Sequence, residues 1–251
     1  MKLSILQAPS PNFNERLFPL DMLVLHYTGM KDGPSALEKM RDPASQVSAH
    51  YMVEEDGRIF QLVAEDKRAW QAGKSWWRGD DDLNSRSIGI EIVNGGHDFG
   101  LPPFADIQIA AVIDLCESIV KRWRIPQTRI VAHSDIAPER KEDPGERFPW
   151  KRLADAGIGL WPADRPPVEP WMTHGAGKGD KGITVDGLRE ALATIGYKVD
   201  RAGEFDDALA AVVRAFQRRW LPLKVTGHGD VDTVARAHAV ALLTQADDLQ
   251  R

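Results

Sequence analysis

Ser87-Ile88-Gly89-Ile90-Glu91-Ile92-Val93 is the stretch whose reading decides the fold. Its isoleucines recur at every second position, a period that a pleated strand turns into one apolar face. Ile88, Ile90 and Ile92 share that face, while Gly89, Glu91 and Val93 lie on the other. Upstream, Met22-Leu23-Val24-Leu25-His26-Tyr27 is a short apolar run of the kind a buried strand needs. Val47 to Val53 and Ile59 to Val63 are two more strand candidates around the turn Glu55-Asp56-Gly57, and Ser35 to Met40 reads as a brief helix. Downstream, Ala105 to Trp123 carries the longest helical stripe, from Ile109 through Val112, Cys116 and Ile119 to Trp123, and Pro126 stops it. Arg129 to Ala132 reads as a last strand that runs into His133. Together these predict a mixed α/β fold, a central mixed β-sheet flanked by helices.

Composition narrows the function classes. Hydrophobic residues make up 43% of the 251 and charged residues 27%, an ordinary globular balance. A net charge of -5 gives no pull toward nucleic acid or an anionic membrane. No apolar stretch approaches the length of a membrane span. The single cysteine, Cys116, excludes an internal disulfide and reads as a small buried hydrophobe. In Met1 to Pro11 the apolar run is too short for a secretory core and no small-residue cleavage site follows. The expectation from that is a cytoplasmic protein, with the periplasm as the alternative.

From Trp161 to Gly182 the chain turns to prolines and then glycines, which predicts a linker, stiff first and flexible afterwards. It separates residues 1–160 from residues 183–251, where Val185 to Ile195, Asp206 to Trp220 and Val231 to Leu243 are helical patterns. The expected C-terminal unit is a small three-helix domain.

Two of the seven histidines, His26 and His133, stand where a predicted strand enters a loop. A side chain there can face an open cleft while its backbone is held by the sheet. Ten residues beyond His133, Lys141-Glu142-Asp143-Pro144-Gly145 is a turn sequence that holds a carboxylate. Two histidines, one carboxylate and an open fourth position suit a catalytic zinc. Spacing alone leaves structural histidines as the commoner reading.

Five ordered strings add to that: Leu-His-Tyr-Thr-Gly, Val-Ser-Ala-His-Tyr, Ala-Trp-Gln-Ala-Gly-Lys-Ser, Ser-Ile-Gly-Ile-Glu-Ile-Val-Asn and Ala-His-Ser-Asp-Ile-Ala-Pro-x-Arg-Lys-x-Asp-Pro-Gly. Over Leu20 to Trp150 the series resembles the zinc-dependent N-acetylmuramoyl-L-alanine amidases, the family that includes the peptidoglycan recognition proteins. Among them it is most similar to the bacterial branch with the recycling amidases. The resemblance implies one zinc ion per chain, held by His26, His133 and Asp143. It implies that Glu91 assists proton transfer and that Lys141 stabilises charge on the developing oxyanion. It places His50, with Tyr51 beside it, in the substrate cleft. Gln71 departs from the family, where many relatives carry histidine, and Glu139 and Glu142 replace smaller residues.

Trp70, Trp76, Trp77 and Arg78 crowd one predicted loop, where indole faces suit sugar rings and an arginine suits a stem-peptide carboxylate. Asn84 joins them as a substrate-contact candidate. Phe216-Gln217-Arg218-Arg219-Trp220 and the Gly196-Tyr197 turn resemble a three-helix peptidoglycan-binding domain, which would concentrate an enzyme on polymer or serve as a structural cap. The function implied is hydrolysis of the amide between N-acetylmuramic acid, the 1,6-anhydro form favoured, and L-alanine of a muropeptide or peptidoglycan. The alternative is a non-catalytic recognition protein.

Overall fold

The computed structural model describes residues 3–250; Met1, Lys2 and Arg251, at the ends of the two predicted units, lie outside the described residues. Among the described residues eight strands form: β1 (Ile5–Gln7), β2 (Phe13–Glu15), β3 (Met22–Tyr27), β4 (Tyr51–Val53), β5 (Ile59–Gln61), β6 (Lys67–Ala69), β7 (Ser87–Ile92) and β8 (Ile130–Ala132). Six make one sheet in the order β1-β5-β4-β7-β3-β8, and β2 pairs with β6 apart from it. β4 and β5 are antiparallel and the other pairs of the large sheet are parallel.

The helices are α1 (Gly33–Arg41), α2 (Leu83–Arg86), α3 (Asp106–Trp123), α4 (His133–Ile136), α5 (Trp150–Asp155), α6 (Ile183–Ile195), α7 (Asp207–Trp220) and α8 (Val231–Leu249). α3 covers the isoleucine face, where Ile88, Ile90 and Ile92 meet Leu23, Leu25, Ile109, Val112 and Cys116. α1 covers part of the opposite face, with Met40 against Met52 and Val93. Asp206 and Asp230 cap α7 and α8 by accepting from Leu209 N–H and Thr233 N–H.

The C-terminal helices do not hang from a tether. Met22, Val24 and Val131 of the sheet share one continuous core with Leu188, Leu192, Tyr197, Phe216 and Trp220. The three-helix unit therefore closes the second face of the sheet. The stretch expected to be a linker is packed as well. Met172 is fully buried, and Arg236 on α8 donates to the carbonyls of Ala163 and Asp164 at 2.8 and 2.6 Å. A proline- and glycine-rich composition signals loss of regular structure, not loss of packing.

Two smaller expectations changed. Ile5–Gln7 is an edge strand parallel to β5. The strand expected from Val47 starts only at Tyr51, because Asn12 Nδ2 and Ser48 Oγ take backbone carbonyls there and hold a loop.

Trp77 is the largest fully buried side chain in the shared core. Its ring meets Tyr197 edge-on at 5.0 Å between centroids, and its Nε1–H donates to the Thr128 carbonyl at 3.1 Å. Trp77→Ala is expected to cost about 3–5 kcal/mol, read as a lower denaturation midpoint with the two halves still unfolding together.

Candidate active site

The carboxyl ends of β3, β7 and β8 meet at one edge of the sheet, the position where open α/β sheets leave a crevice. His26 pairs in register with Glu91 on the neighbouring parallel strand, so their side chains stand side by side on the face away from the isoleucines. Leu25 pairs with Ala132, which brings His133, the next residue, beside His26. The Asp143 loop is fixed to the same place by Ser134 N–H, which donates to the Asp143 carbonyl at 2.9 Å.

Three candidate ligand atoms converge. His26 Nδ1 lies 2.9 Å from His133 Nδ1 and 2.9 Å from Asp143 Oδ2, and His133 Nδ1 lies 3.0 Å from that same oxygen. All three residues are buried. The outer ring nitrogens identify the tautomers. His133 Nε2 faces the Ala72 carbonyl at 3.2 Å, and His26 Nε2 makes a very short contact with Gln71 Oε1. The Gln71 amide is itself oriented, because its Nε2 donates at 2.6 Å to Ser87 Oγ, which donates to the Leu83 carbonyl. Both imidazoles thus carry their proton on Nε2 when neutral, so both Nδ1 lone pairs point at a carboxylate oxygen. Such a cluster of acceptors fits a cation, and the donor set and outer hydrogen bonds fit zinc.

Gly89 makes the Gln71 contact feasible. A side-chain carbon there would stand 2.7 Å from Gln71 Cγ, so the glycine lets Gln71 lie across β7 and reach His26.

Charge is distributed unevenly over the site. Burial and the two histidines act in opposite directions on Asp143, and the histidines prevail, holding its carboxyl well below the usual range. Burial pushes Glu91 up to about 7. Its Oε2 is buried with no hydrogen-bond partner among the described residues, so it is free to handle a proton. A cleft of about 400 Å³ opens above these groups, and its walls include Tyr27, Lys39, Trp70, His97, Arg140 and Lys141.

The structure brings His26, His133, Asp143, Glu91, Lys141 and Trp70 to this one cleft and leaves the other sequence candidates elsewhere. His50 is fully buried, accepting from Gly89 N–H at Nδ1 and facing the Lys67 carbonyl at Nε2. Burial, with Arg16 beside it, lowers its pKa to about 3, so it is a neutral structural imidazole. Tyr51 packs on the isoleucine face and donates to Glu65 at 2.8 Å, because its register partner is Ile90. Asn84 accepts from Gln71 N–H and Ala72 N–H at 3.0 and 2.7 Å, shaping the loop behind the ligands. Trp77 is core, and Arg78 binds the Ile195 carbonyl and Asp248 of the C-terminal helices. Trp76 lines a separate surface groove with Lys74 and Lys198. Clustering of aromatics in one loop cannot tell a sugar platform from a seam between packed units.

Sequence reasoning also missed cleft residues. Tyr27 Oη and His97 Nδ1 lie 3.0 Å apart, and His97 Nε2 meets Glu146 at 3.0 Å. Tyr27 follows a ligand directly, which was an available signal; His97 belongs to no distinctive string.

Comparison with known proteins agrees with this geometry. A family model described as "N-acetylmuramoyl-L-alanine amidase" matches residues 16–146, and one described as "Putative peptidoglycan binding domain" matches residues 181–236. The N-acetylmuramoyl-L-alanine amidase AmiD of Escherichia coli is 39% identical over 233 residues, covering 88% of this chain and 82% of that protein. The 1,6-anhydro-N-acetylmuramyl-L-alanine amidase AmpD of Haemophilus influenzae is 35% identical over 58% of this chain and 88% of its own length. Among solved structures, AmiD in complex with anhydro-N-acetylmuramic acid-L-Ala-D-gamma-Glu-L-Lys superposes with a TM-score of 0.77 at 38% identity, over 94% of this chain and 91% of the other. AmpDh3 from Pseudomonas aeruginosa, in complex with anhydromuramic pentapeptide, gives 0.73 at 36% identity, over 88% and 90%. With a family model over residues 16–146 and a relative 39% identical over 88% of the chain, the chain belongs to the N-acetylmuramoyl-L-alanine amidase family.

Proposed function

We propose that this protein hydrolyses the amide between the lactyl group of N-acetylmuramic acid and L-alanine in soluble anhydro-muropeptides, with one zinc ion held by His26, His133 and Asp143. The observation that carries the reading is the convergence of two imidazole lone pairs and a carboxylate beside a glutamate whose Oε2 is buried and unpartnered among the described residues, at the floor of an open cleft. The relatives solved with anhydromuramyl peptides support the substrate class.

Zinc at this position would supply Lewis acidity, making water a nucleophile near neutral pH and polarising the scissile carbonyl. Glu91, ionised, takes a proton from the attacking water and returns it to the leaving amine of L-alanine. Lys141, on the cleft wall two residues from Asp143, offsets negative charge developing on the carbonyl oxygen. Gln71 and the Ala72 carbonyl hold the two imidazoles in the ligating tautomer. Trp70 and Tyr27 offer aromatic surface at the cleft wall for the sugar and the stem. Among the described residues no helix is long and apolar enough to cross a membrane.

The test is mass spectrometry of products from anhydro-muropeptide and, in parallel, from isolated sacculi, each with and without a chelator. Free peptide from the soluble substrate, lost on chelation and restored by zinc, is the expected result. Peptide from sacculi in addition would assign the C-terminal helices a wall-binding role. Zinc binding without release of peptide from either substrate would replace the amidase with a recognition protein.

A further inference from the structure

The C-terminal helices touch the segments that carry His133 and Asp143 through a small set of charged contacts, fully buried at Asp135 and exposed at Glu142. Asp135 is 1% exposed and lies two residues after His133, in the single turn of α4. Its Oδ2 accepts from Ala132 N–H at 2.9 Å, so its carboxylate closes the turn that begins with the ligand. That same oxygen accepts from Arg219 Nη1 of α7 at 2.9 Å, and Oδ1 accepts from Tyr197 Oη at 2.5 Å. Arg219 is sandwiched between Trp150 and Trp220, with its guanidinium carbon 4.2 and 4.3 Å from the two ring centroids. The next residue back, Arg218, is paired with Glu142, the neighbour of Asp143. Arg218 also approaches Glu146 at 3.9 Å, and Glu146 holds His97, which meets Tyr27, the neighbour of His26.

We propose that Arg218 and Arg219, with Tyr197, are positioning residues for the metal centre, so that the C-terminal helices are part of the machinery that sets ligand geometry. Of two consecutive arginines on one helix, Arg219 holds the residue two past His133 and Arg218 pairs with the neighbour of Asp143, with a relay through Glu146 and His97 to the neighbour of His26. Removing one partner of a buried charged pair leaves the other uncompensated, and Asp135 then has reason to turn away. That movement disturbs the cap on which the direction of His133 depends. Sites of this kind tolerate misplacement of only about 0.5 Å. Tyr197, whose burial beside Asp135 raises its pKa well above the ordinary value, stays protonated and keeps donating.

This inference rests on the zinc reading, and its test separates the two. Full-length wild type, Arg219→Met, Tyr197→Phe and Arg218→Met are compared for zinc affinity by competition with a chromophoric chelator. Each is also compared by the visible absorption of the cobalt-substituted form. Arg236→Met is the control: it removes an equally buried arginine of the C-terminal helices, whose partners are the carbonyls of Ala163 and Asp164. Arg219→Met and Tyr197→Phe are expected to weaken zinc about tenfold or more and Arg218→Met to weaken it in the same direction, each with a shifted cobalt spectrum and with Arg236→Met unchanged in both; an Arg218→Met identical to wild type would remove Arg218 from the set. Tyr197→Phe removes one hydroxyl and keeps the reading available should Arg219→Met not fold. Wild-type zinc affinity in Arg219→Met and Tyr197→Phe, whatever their melting temperatures, would overturn the proposal and leave the amidase intact. A wild type that binds no zinc would overturn both.

Discussion

Replacement of Glu91 by glutamine is expected to lower kcat/KM by about 10²–10⁴-fold and to make the metal-free protein more stable at pH 8. The two effects share one cause. Burial without a hydrogen-bond partner at Oε2 lifts the carboxyl from an ordinary 4.5 to about 7, which suits a group that must take a proton and give it back. The sign for stability follows. A carboxyl whose folded pKa is raised contributes stability that is fully present below its unfolded value and is lost as pH rises through the folded one. At pH 8 the ionised side chain therefore costs the metal-free protein about 1–3 kcal/mol, and glutamine carries no such cost. Urea denaturation of the two metal-free proteins is expected to show the gain at pH 8 and its disappearance toward pH 4.5. In the loaded wild type, kcat/KM falls as Glu91 protonates. A dication nearby draws that limb to pH 7 or lower, and the glutamine variant lacks it. Equal kcat/KM for wild type and Glu91→Gln would remove Glu91 from proton transfer.

Asp143→Asn is expected to abolish stable zinc binding and to reduce amide hydrolysis by about 10³-fold or more, the equivalent of several kcal/mol of Lewis acid assistance. The substitution keeps the volume of the side chain and removes its charge. Asp143 Oδ2 is the one anionic atom among the three that converge, and it stands within 3.0 Å of both imidazole nitrogens. An amide nitrogen or oxygen there is a poor ligand and leaves the dication uncompensated in a buried setting. Chelator competition and the product assay on anhydro-muropeptide read the two effects separately. Retention of wild-type zinc affinity in Asp143→Asn would move the metal site elsewhere or remove the aspartate from it.

The main elements of this fold were legible because their periods are clean. Ser87 to Val93 alternates strictly, and the structure forms that strand through Ile92 with the isoleucines buried and Glu91 turned to the cleft. The convergence of His26, His133 and Asp143 was legible through ordered strings in which each histidine stands at or just past the carboxyl end of a strand. The aromatic loop was not. Trp76, Trp77 and Arg78 look alike as a cluster, yet Trp77 is core, Arg78 bridges to the last helix and Trp76 faces another groove. His50 and Tyr51 adjoin one another on β4 and its approach, but a strand sends neighbours to opposite faces, and neither reaches the cleft. The role of Asp135 was hidden for a different reason. Its partners, Tyr197 and Arg219, are 62 and 84 residues away, and nothing local distinguishes it from a helix cap.

The continuous core beneath β3 and β8 has a consequence for polymeric substrates. A binding unit on a flexible tether samples a volume, and the cutting unit then finds bonds anywhere within its reach. Here the helices that resemble a glycan-binding unit are welded to the sheet through Met22, Val24, Trp77 and Tyr197. A strand gripped by those helices would be presented to the cleft at one span and one orientation. Such an enzyme works as a ruler, and its cuts on intact wall would fall at a set spacing from the point of attachment.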